Sequence, residues 1–178
     1  MSLVCSPPRR EAHIKPILAR PFAGHGSSDR DIRLVKLYPG LFEDHIRCSL
    51  ETTSLDSKPT YEALSYVWGD PTLTTQILVD DCPLEMTINL AVALRQIRQS
   101  SKTRVLWIDA ICIDQADSTE KTHQVKLMGN IYRASQHCLV WLGTLEASGL
   151  GQTQAEAAAE LWGFFASDKR LSETTIFR

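Results

Sequence analysis

The stretch Val105-Leu-Trp-Ile-Asp-Ala-Ile-Cys-Ile-Asp-Gln115 decides the fold of this chain. It is almost continuously apolar, rich in β-branched residues and too short for a typical helix. This pattern favours a strand over residues 105–113 that is buried on both faces, as in the middle of a parallel sheet. The sequence Asp117-Ser-Thr-Glu120 follows with the spacing of a capping box and predicts the start of a helix. Ligands of open α/β sheets gather where strands end and helices begin, so functional residues are expected here.

The segments around this stretch alternate between strand and helix patterns. Residues 60–68 and 138–142 each read as a short buried strand. Between them lie a hairpin turning at Asp80-Asp81 and a helix capped by Thr87 or Asn89. Such alternation predicts an α/β fold with a mainly parallel central sheet and flanking helices. Residues 31–37 and 45–50 predict a small N-terminal β-hairpin in addition.

Composition excludes several classes of function. The chain has 178 residues, enough for one domain with a real core, and its net charge is −2 with scattered basic residues. This charge pattern predicts no binding to nucleic acid or to an anionic membrane. The five cysteines are widely spaced, which predicts free thiols, no metal site and a reducing, cytoplasmic compartment. No apolar run approaches the length of a membrane span.

Five sequence blocks, taken in order, resemble one family closely. They are Tyr61-Glu-Ala-Leu-Ser-Tyr-Val-Trp-Gly-Asp-Pro71, Asn89-Leu-x₃-Leu94, Leu106-Trp-Ile-Asp-Ala-Ile-Cys-Ile-Asp-Gln115, Glu120-Lys-x₂-Gln-Val125 continuing to Tyr132, and Val140-Trp-Leu-Gly143. The chain is identified by these blocks as similar to the HET (heterokaryon incompatibility) domain of filamentous fungi. Residues 31–145 are expected to form this domain, after an irregular leader over 1–30. Residues 146–178 are expected to form a C-terminal helix and tail that begin a longer region.

The resemblance implies a fungal, intracellular protein of non-self recognition, a form of innate immunity in which HET domains trigger growth arrest or programmed cell death. HET domains have also been likened to TIR domains. This remoter likeness implies a flavodoxin-like sheet and, as an alternative function, TIR-type cleavage of NAD. NAD would then be a substrate, and the resemblance implies no other cofactor.

Glu120 is the candidate catalytic carboxylate of that alternative, because it opens the helix after the central strand. There it would stabilise an oxocarbenium-like centre or hold the ribose hydroxyls as nicotinamide leaves. The structural interpretation is that Glu120 only completes a capping box behind Asp117. In that case Glu120→Gln is expected to cost only about 0.3–1 kcal/mol.

Five further residues are candidate ligand-binding groups. Asp109 lies inside the apolar run, where a carboxylate needs a partner or an opening. Asp114 either binds a ligand or satisfies loop amides, and Gln115 ends the same motif. Trp68 either stacks on a base or anchors the core, and Asp70 follows it in the turn Trp68-Gly-Asp-Pro71.

Two functions therefore stay open on the sequence alone. The first is a death-inducing interaction module that works by self-association or by recruiting a protein partner. The second is an NAD-cleaving enzyme centred on Glu120. Every candidate catalytic residue also has a plausible structural role, so the sequence does not choose between them.

Overall fold

The computed structural model describes residues 29–143 together with the backbone of residues 174–177. The fold is α/β, as predicted. Its strands are β1 (Asp31–Leu37), β2 (Arg47–Ser54), β3 (Glu62–Tyr66), β4 (Thr74–Val79), β5 (Cys82–Thr87), β6 (Arg104–Trp107), β7 (His137–Trp141) and β8 (Thr174–Phe177). Its helices are α1 (Ile88–Ile97), α2 (Asp109–Cys112) and α3 (Ser118–Ala134).

The described strands form one mixed sheet in the order β5-β4-β2-β1-β6-β3-β7-β8. Strands β6, β3, β7 and β8 run parallel to one another, and we call them the parallel half. Strands β5, β4, β2 and β1 form the hairpin half, whose β1–β2 and β4–β5 ladders are antiparallel. These are the two longest ladders in the sheet, so the predicted mainly parallel sheet is not supported. A flavodoxin-like topology is not established either.

The predicted N-terminal hairpin is present, but it is not peripheral. Strand β1 lies in the middle of the sheet, paired antiparallel with both β2 and β6. Ile32, Leu34, Val35 and Leu37 on β1 are all buried. Because these positions alternate between the two faces of the strand, β1 is covered on both sides. The hairpin is therefore part of the core of the domain.

The predicted central strand over 105–113 is wrong beyond Trp107. Strand β6 ends there, and residues Asp109–Cys112 form the single helical turn α2. The backbone N–H groups of Ile111 and Cys112 both donate to the Ile108 carbonyl. Ile108 and Ile111 are 0% exposed, so the apolar run is buried, as expected. A short apolar run suits a buried helical turn as well as a buried strand, and periodicity cannot separate the two.

Helix α1 follows its sequence pattern. Thr87 is the N-cap, and its hydroxyl accepts the Leu90 N–H. The predicted stripe is buried, which confirms the face that the helix presents to the core, and its members are Leu90, Ala93, Leu94 and Ile97. At the other end, the Arg98 guanidinium is buried and donates to carbonyl oxygens of the loop at 41–45.

The sequence predicts that helix α3 has one apolar side formed by Val125, Met128, Ile131 and Tyr132, and this is confirmed except at Val125. Its buried residues are Gln124, Leu127 and Ile131, whereas Val125 is exposed. Gln124 is fully buried because its side-chain amide donates to the Asp31 carbonyl at 2.8 Å. Met128 and Tyr132 are partly buried and pack against the core, so the buried side of the helix is wider than predicted and excludes only Val125.

The β4–β5 hairpin is confirmed, with Asp80 and Asp81 both at positive φ, 51° and 60°. Two positive-φ residues in a two-residue loop match the twist of antiparallel strands, and aspartate tolerates this conformation. The predicted helix over 153–166 and nearly all of the leader lie outside the described residues. Strand β8 falls in the final dozen residues, where no element was predicted. No helix in the described part of the chain has the length and apolar character that a membrane crossing needs.

Candidate functional site: the carboxyl edge of the parallel half

The carboxyl ends of β6, β3 and β7 meet at one edge of the sheet, because these strands are parallel and adjacent. Trp68 follows β3 and Asp109 follows β6, and the structure brings the two together. The Trp68 indole Nε1 donates to Asp109 Oδ2 at 2.9 Å. Trp68 is 44% exposed, so it does not anchor the core. We call this region the carboxyl edge.

The Asp109 carboxylate is the polar centre of the carboxyl edge. Its Oδ1 accepts the Ala110 N–H at 2.7 Å, while Oδ2 accepts the Trp68 indole. Burial raises the pKa of Tyr66, and the neighbouring Asp109 carboxylate raises it further. Tyr66 is therefore a neutral hydrogen-bond donor at physiological pH. The sequence interpretation placed Asp109 inside a strand, whereas it opens α2 at the end of the strand.

Gln115 and Asp114 brace the loop that follows α2. The Gln115 Nε2 donates to the Asp109 carbonyl at 3.0 Å, and Gln115 Oε1 is buried with no hydrogen-bond partner. Asp114 Oδ1 accepts the Ala116 N–H at 2.9 Å, which is the loop-amide role considered from the sequence. Both candidates thus lie beside Asp109, with structural contacts of their own.

Asp70 lies in the turn after Trp68, and its Oδ1 accepts both the backbone N–H and the hydroxyl of Thr72. These two hydrogen bonds hold the pKa of the exposed Asp70 carboxyl below its usual range. Gly69 has φ +79°, and a Cβ there would meet the Asn89 Cβ at 3.2 Å. The turn at 67–73 is therefore fixed against the start of α1.

Asn89 was missed as a site residue, although it lies in one of the five quoted blocks. Its Nδ2 donates to the Val67 carbonyl, and its Oδ1 accepts the Trp141 indole N–H at 2.9 Å. One side chain thus joins the turn after β3 to the end of β7. The sequence suggested Asn89 only as an alternative N-cap of α1, whereas Thr87 is the N-cap in the structure.

Glu120 is not exposed at the carboxyl edge. The Arg33 guanidinium on β1 donates to Oε1 at 2.5 Å and to Oε2 at 2.9 Å, and the two side chains are only 4% and 10% exposed. Oε1 also accepts the Asp114 N–H at 2.7 Å. Asp117 is the N-cap and accepts the N–H groups of Thr119 and Glu120, as predicted.

In a capping box, the Glu120 side chain would accept the backbone N–H of the N-cap residue Asp117. Glu120 instead contacts Arg33 and the Asp114 N–H. Both its oxygens are used in a buried ion pair between β1 and α3. Such a pair is costly to break from one side, because the remaining charge is left buried and uncompensated. Arg33 was missed entirely, since an arginine at an alternating strand position gives no sign of a partner 87 residues away.

Cys112 behaves as a buried, apolar residue. It is 1% exposed, and burial raises the pKa of its thiol to about 12. A nucleophilic thiolate is therefore not available at neutral pH. Within residues 29–143, no three His, Cys, Asp or Glu side chains cluster so as to hold a metal ion.

Exposed apolar residues lie beside the carboxyl edge. Val67, Trp68, Leu73 and Ile88 are 73%, 44%, 56% and 45% exposed, and we call them the Trp68 patch. The Ile88 N–H donates to the Leu73 carbonyl at 2.9 Å, and Asn89 holds Val67, so the four residues are neighbours. Contiguous exposed apolar residues on a fixed backbone are typical of an interaction surface.

The family model described as Heterokaryon incompatibility protein (HET) matches residues 61–174. This match covers more than half of the chain, so the chain belongs to the HET family. A curated relative, Heterokaryon incompatibility protein 6, OR allele, of Neurospora crassa, is 40% identical over 126 residues. The alignment covers 63% of this chain but only 18% of the relative. No solved structure matches the chain significantly. The family and this relative support a role in fungal heterokaryon incompatibility.

Proposed function

We propose that this chain is an effector domain of non-self recognition that acts by binding a protein through the Trp68 patch. Binding by a partner, or by self-association, would trigger growth arrest and cell death in the fungal cytoplasm. The observation that carries the proposal is the exposure of four contiguous apolar residues on a turn that is hydrogen-bonded in place. A preorganised aromatic surface binds at a low entropic cost, and tryptophan is enriched among residues that dominate interfaces.

The alternative, NAD cleavage, has weaker support from the geometry. A catalytic carboxylate must reach the ribose of its substrate. Both Glu120 oxygens contact Arg33, and one also contacts the Asp114 N–H. Asp109 lies at the carboxyl edge itself, but its oxygens orient Trp68 and α2. Incubating purified protein with NAD and measuring nicotinamide release tests this alternative directly.

Expression of the chain in a filamentous fungus tests the proposed function. The wild-type protein is expected to arrest growth, and Trp68→Ala is expected to abolish this effect. The matched control is Phe42→Ala, since Phe42 is 47% exposed and lies in the loop before β2, away from the Trp68 patch. This control is expected to arrest growth like the wild type.

A second variant separates loss of the surface from loss of the Trp68–Asp109 hydrogen bond. The double substitution Leu73→Ser/Ile88→Ser removes half of the Trp68 patch and leaves that hydrogen bond intact. It is expected to reduce growth arrest at unchanged protein abundance and melting temperature. The proposal would be contradicted if the wild-type protein accumulates in the fungus but does not arrest growth. It would also be contradicted if a folded Trp68→Ala protein arrests growth fully.

A further inference from the structure

Four aspartates without a basic partner among the described residues lie in the segments that follow β3 and β6, and Asp109 among them contacts Trp68. Their carboxylates accept hydrogen bonds only from uncharged groups: Asp70 from Thr72, Asp109 from Trp68 and Ala110, Asp114 from Ala116, and Asp117 from Thr119 and Glu120. The segments 66–73 and 108–119, which build this edge, contain no lysine or arginine. The edge therefore carries an uncompensated negative charge.

Several acidic residues elsewhere in the described chain are ion-paired, unlike these four. Asp56, Glu62 and Asp81 form ion pairs with Arg30, Arg104 and Arg47, and Glu51 pairs with Lys36. Even Glu120, which begins α3 beside this edge, is neutralised by Arg33. Glu43, Asp44 and Glu85 likewise form no ion pair among the described residues, but the segments 66–73 and 108–119 together carry four such acids.

We propose that the Trp68 patch and its four aspartates bind an arginine- or lysine-bearing segment of a partner protein. The proposal rests on the proposed function and names the chemistry of its partner. A guanidinium stacks favourably on the exposed face of a tryptophan. The hydrogen bond from Trp68 to Asp109 orients the indole ring, and Trp68 remains 44% exposed. The aspartates supply the charge complementarity that steers and selects a cationic segment.

The same charges argue against a second copy of this chain as the occupant. A two-fold symmetric dimer would place the patch of one copy against the patch of the other. The four aspartates of each copy would then face four like charges, which is unfavourable. A cationic partner removes this repulsion, and an acidic one would add to it.

Fluorescence anisotropy with the full 178-residue chain tests the proposal. The probe is a labelled peptide of about a dozen residues that repeats Leu-Arg-Gly, and the control peptide repeats Leu-Glu-Gly. The arginine peptide is expected to bind and the glutamate peptide is not. Raising NaCl from about 0.05 M to about 0.5 M is expected to weaken binding, because exposed charges are screened.

Two variants and two matched controls locate the binding surface. Trp68→Ala is expected to weaken binding about tenfold. Asp70→Asn/Asp114→Asn keeps the oxygens that accept local hydrogen bonds but removes two charges, and a similar loss is expected. Phe42→Ala and Glu43→Gln change an exposed aromatic and an exposed acid of the loop before β2, and they are expected to leave the affinity unchanged.

Each remaining outcome overturns one of the two proposals. The proposal of a basic partner is overturned if the arginine peptide does not bind or if the two peptides bind equally well. It is also overturned if Phe42→Ala and Glu43→Gln weaken binding as much as the variants of the Trp68 patch. If the chain dimerises in sedimentation experiments and Trp68→Ala abolishes the dimer, the Trp68 patch binds a second copy of the chain. This outcome also overturns the basic partner. If Trp68→Ala abolishes growth arrest while the peptide fails to bind, the proposed function stands and the partner chemistry falls. If the peptide binds at Trp68 while Trp68→Ala still arrests growth, the proposed function falls instead.

Discussion

The two halves of the sheet place their connections differently. In the hairpin half, the turn Asp80-Asp81 joins β4 to β5, and the loop over 38–46 joins β1 to β2. The parallel half cannot do this, because parallel neighbours need a long crossover. Its crossovers, which include α1, α2 and α3, gather loops at the carboxyl ends of β6, β3 and β7. The hairpin half therefore contributes mainly to the core, and the parallel half exposes the candidate site.

One buried ion pair links the two halves across the fold. Arg33 belongs to β1 in the hairpin half, and Glu120 lies in the first turn of α3, which connects β6 to β7 in the parallel half. The Arg33 guanidinium also donates to the Cys112 carbonyl at 3.0 Å, which ties it to α2. The position of the carboxyl edge thus depends on a residue from the other half.

Removing one partner of the Arg33–Glu120 ion pair is expected to give the largest loss of stability. Arg33→Met or Glu120→Gln should each lower the free energy of unfolding by about 3–5 kcal/mol, because each leaves a buried charge or acceptor without its partner. Urea unfolding measures this. The value is well above the 0.3–1 kcal/mol that a simple helix-capping role for Glu120 would predict.

The double substitution Arg33→Met/Glu120→Leu tests whether the loss of stability comes from leaving one buried charge unpaired. It removes both charges, so it should recover to within about 1–2 kcal/mol of the wild type. Arg47→Met is the control, because the Arg47–Asp81 pair is 60% and 81% exposed and is expected to contribute less than about 1 kcal/mol. A Glu120→Gln protein as stable as the wild type would show that the pair does not hold the halves together.

Alkaline pH compares the two halves through their buried thiols. Burial raises the pKa of Cys48 on β2 and of Cys112 on α2 to about 12, from an ordinary value of 9.0. In the unfolded chain both thiols ionise above pH 9, whereas in the folded protein they stay neutral. Their contribution to stability is therefore complete below about pH 9 and is lost as the pH rises towards 12. At pH 10 each thiol should cost about 1.4 kcal/mol.

Thermal unfolding at pH 8 and pH 10 checks this expectation. The wild-type melting temperature should fall between pH 8 and pH 10. Cys48→Ala should remove the part of this fall that is due to the thiol in the hairpin half. Cys112→Ala should remove the part that is due to the thiol on α2. The change with pH is compared within each variant, so the packing cost of the substitution cancels. An unchanged pH dependence in both variants would contradict the assignment to these thiols.

Asn89→Ala is expected to loosen only the parallel half. It removes the hydrogen bonds to the Val67 carbonyl and from the Trp141 indole, at a cost of about 1–3 kcal/mol. Hydrogen exchange by NMR should show faster exchange of the Trp141 indole proton and unchanged protection of the β1–β2 amides. Equal loss of protection in both halves would mean that Asn89 supports the whole sheet.

The helix caps are expected to give the smallest effects. Asp117 accepts two backbone N–H groups at 2.8 and 3.1 Å, whereas the Thr87 hydroxyl accepts one at 3.4 Å. Asp117→Ala should therefore cost about 1 kcal/mol and Thr87→Ala about 0.5 kcal/mol in urea unfolding. The reverse order would show that the cap of α1 is tighter in solution than its geometry implies.

The sequence by itself determined the local features of this protein. The hairpins at 31–54 and 74–87, the caps Thr87 and Asp117, and the burial of Ile108 and Ile111 all follow from alternation, turn chemistry and hydrophobic runs. The five sequence blocks likewise identified the family, and they include Trp68, Asp70, Asn89, Asp109, Asp114 and Gln115. These properties depend on residues close together in the chain.

Only the tertiary structure decided which of these residues touch. It placed a helical turn where the apolar run predicted a strand, because burial satisfies either conformation. It set β1 between β2 and β6 and so made the sheet mixed. It paired Glu120 with Arg33, and Trp68 with Asp109, across 87 and 41 residues of chain. Such long-range partners depend on how the layers pack, and a single sequence carries no local signal for them.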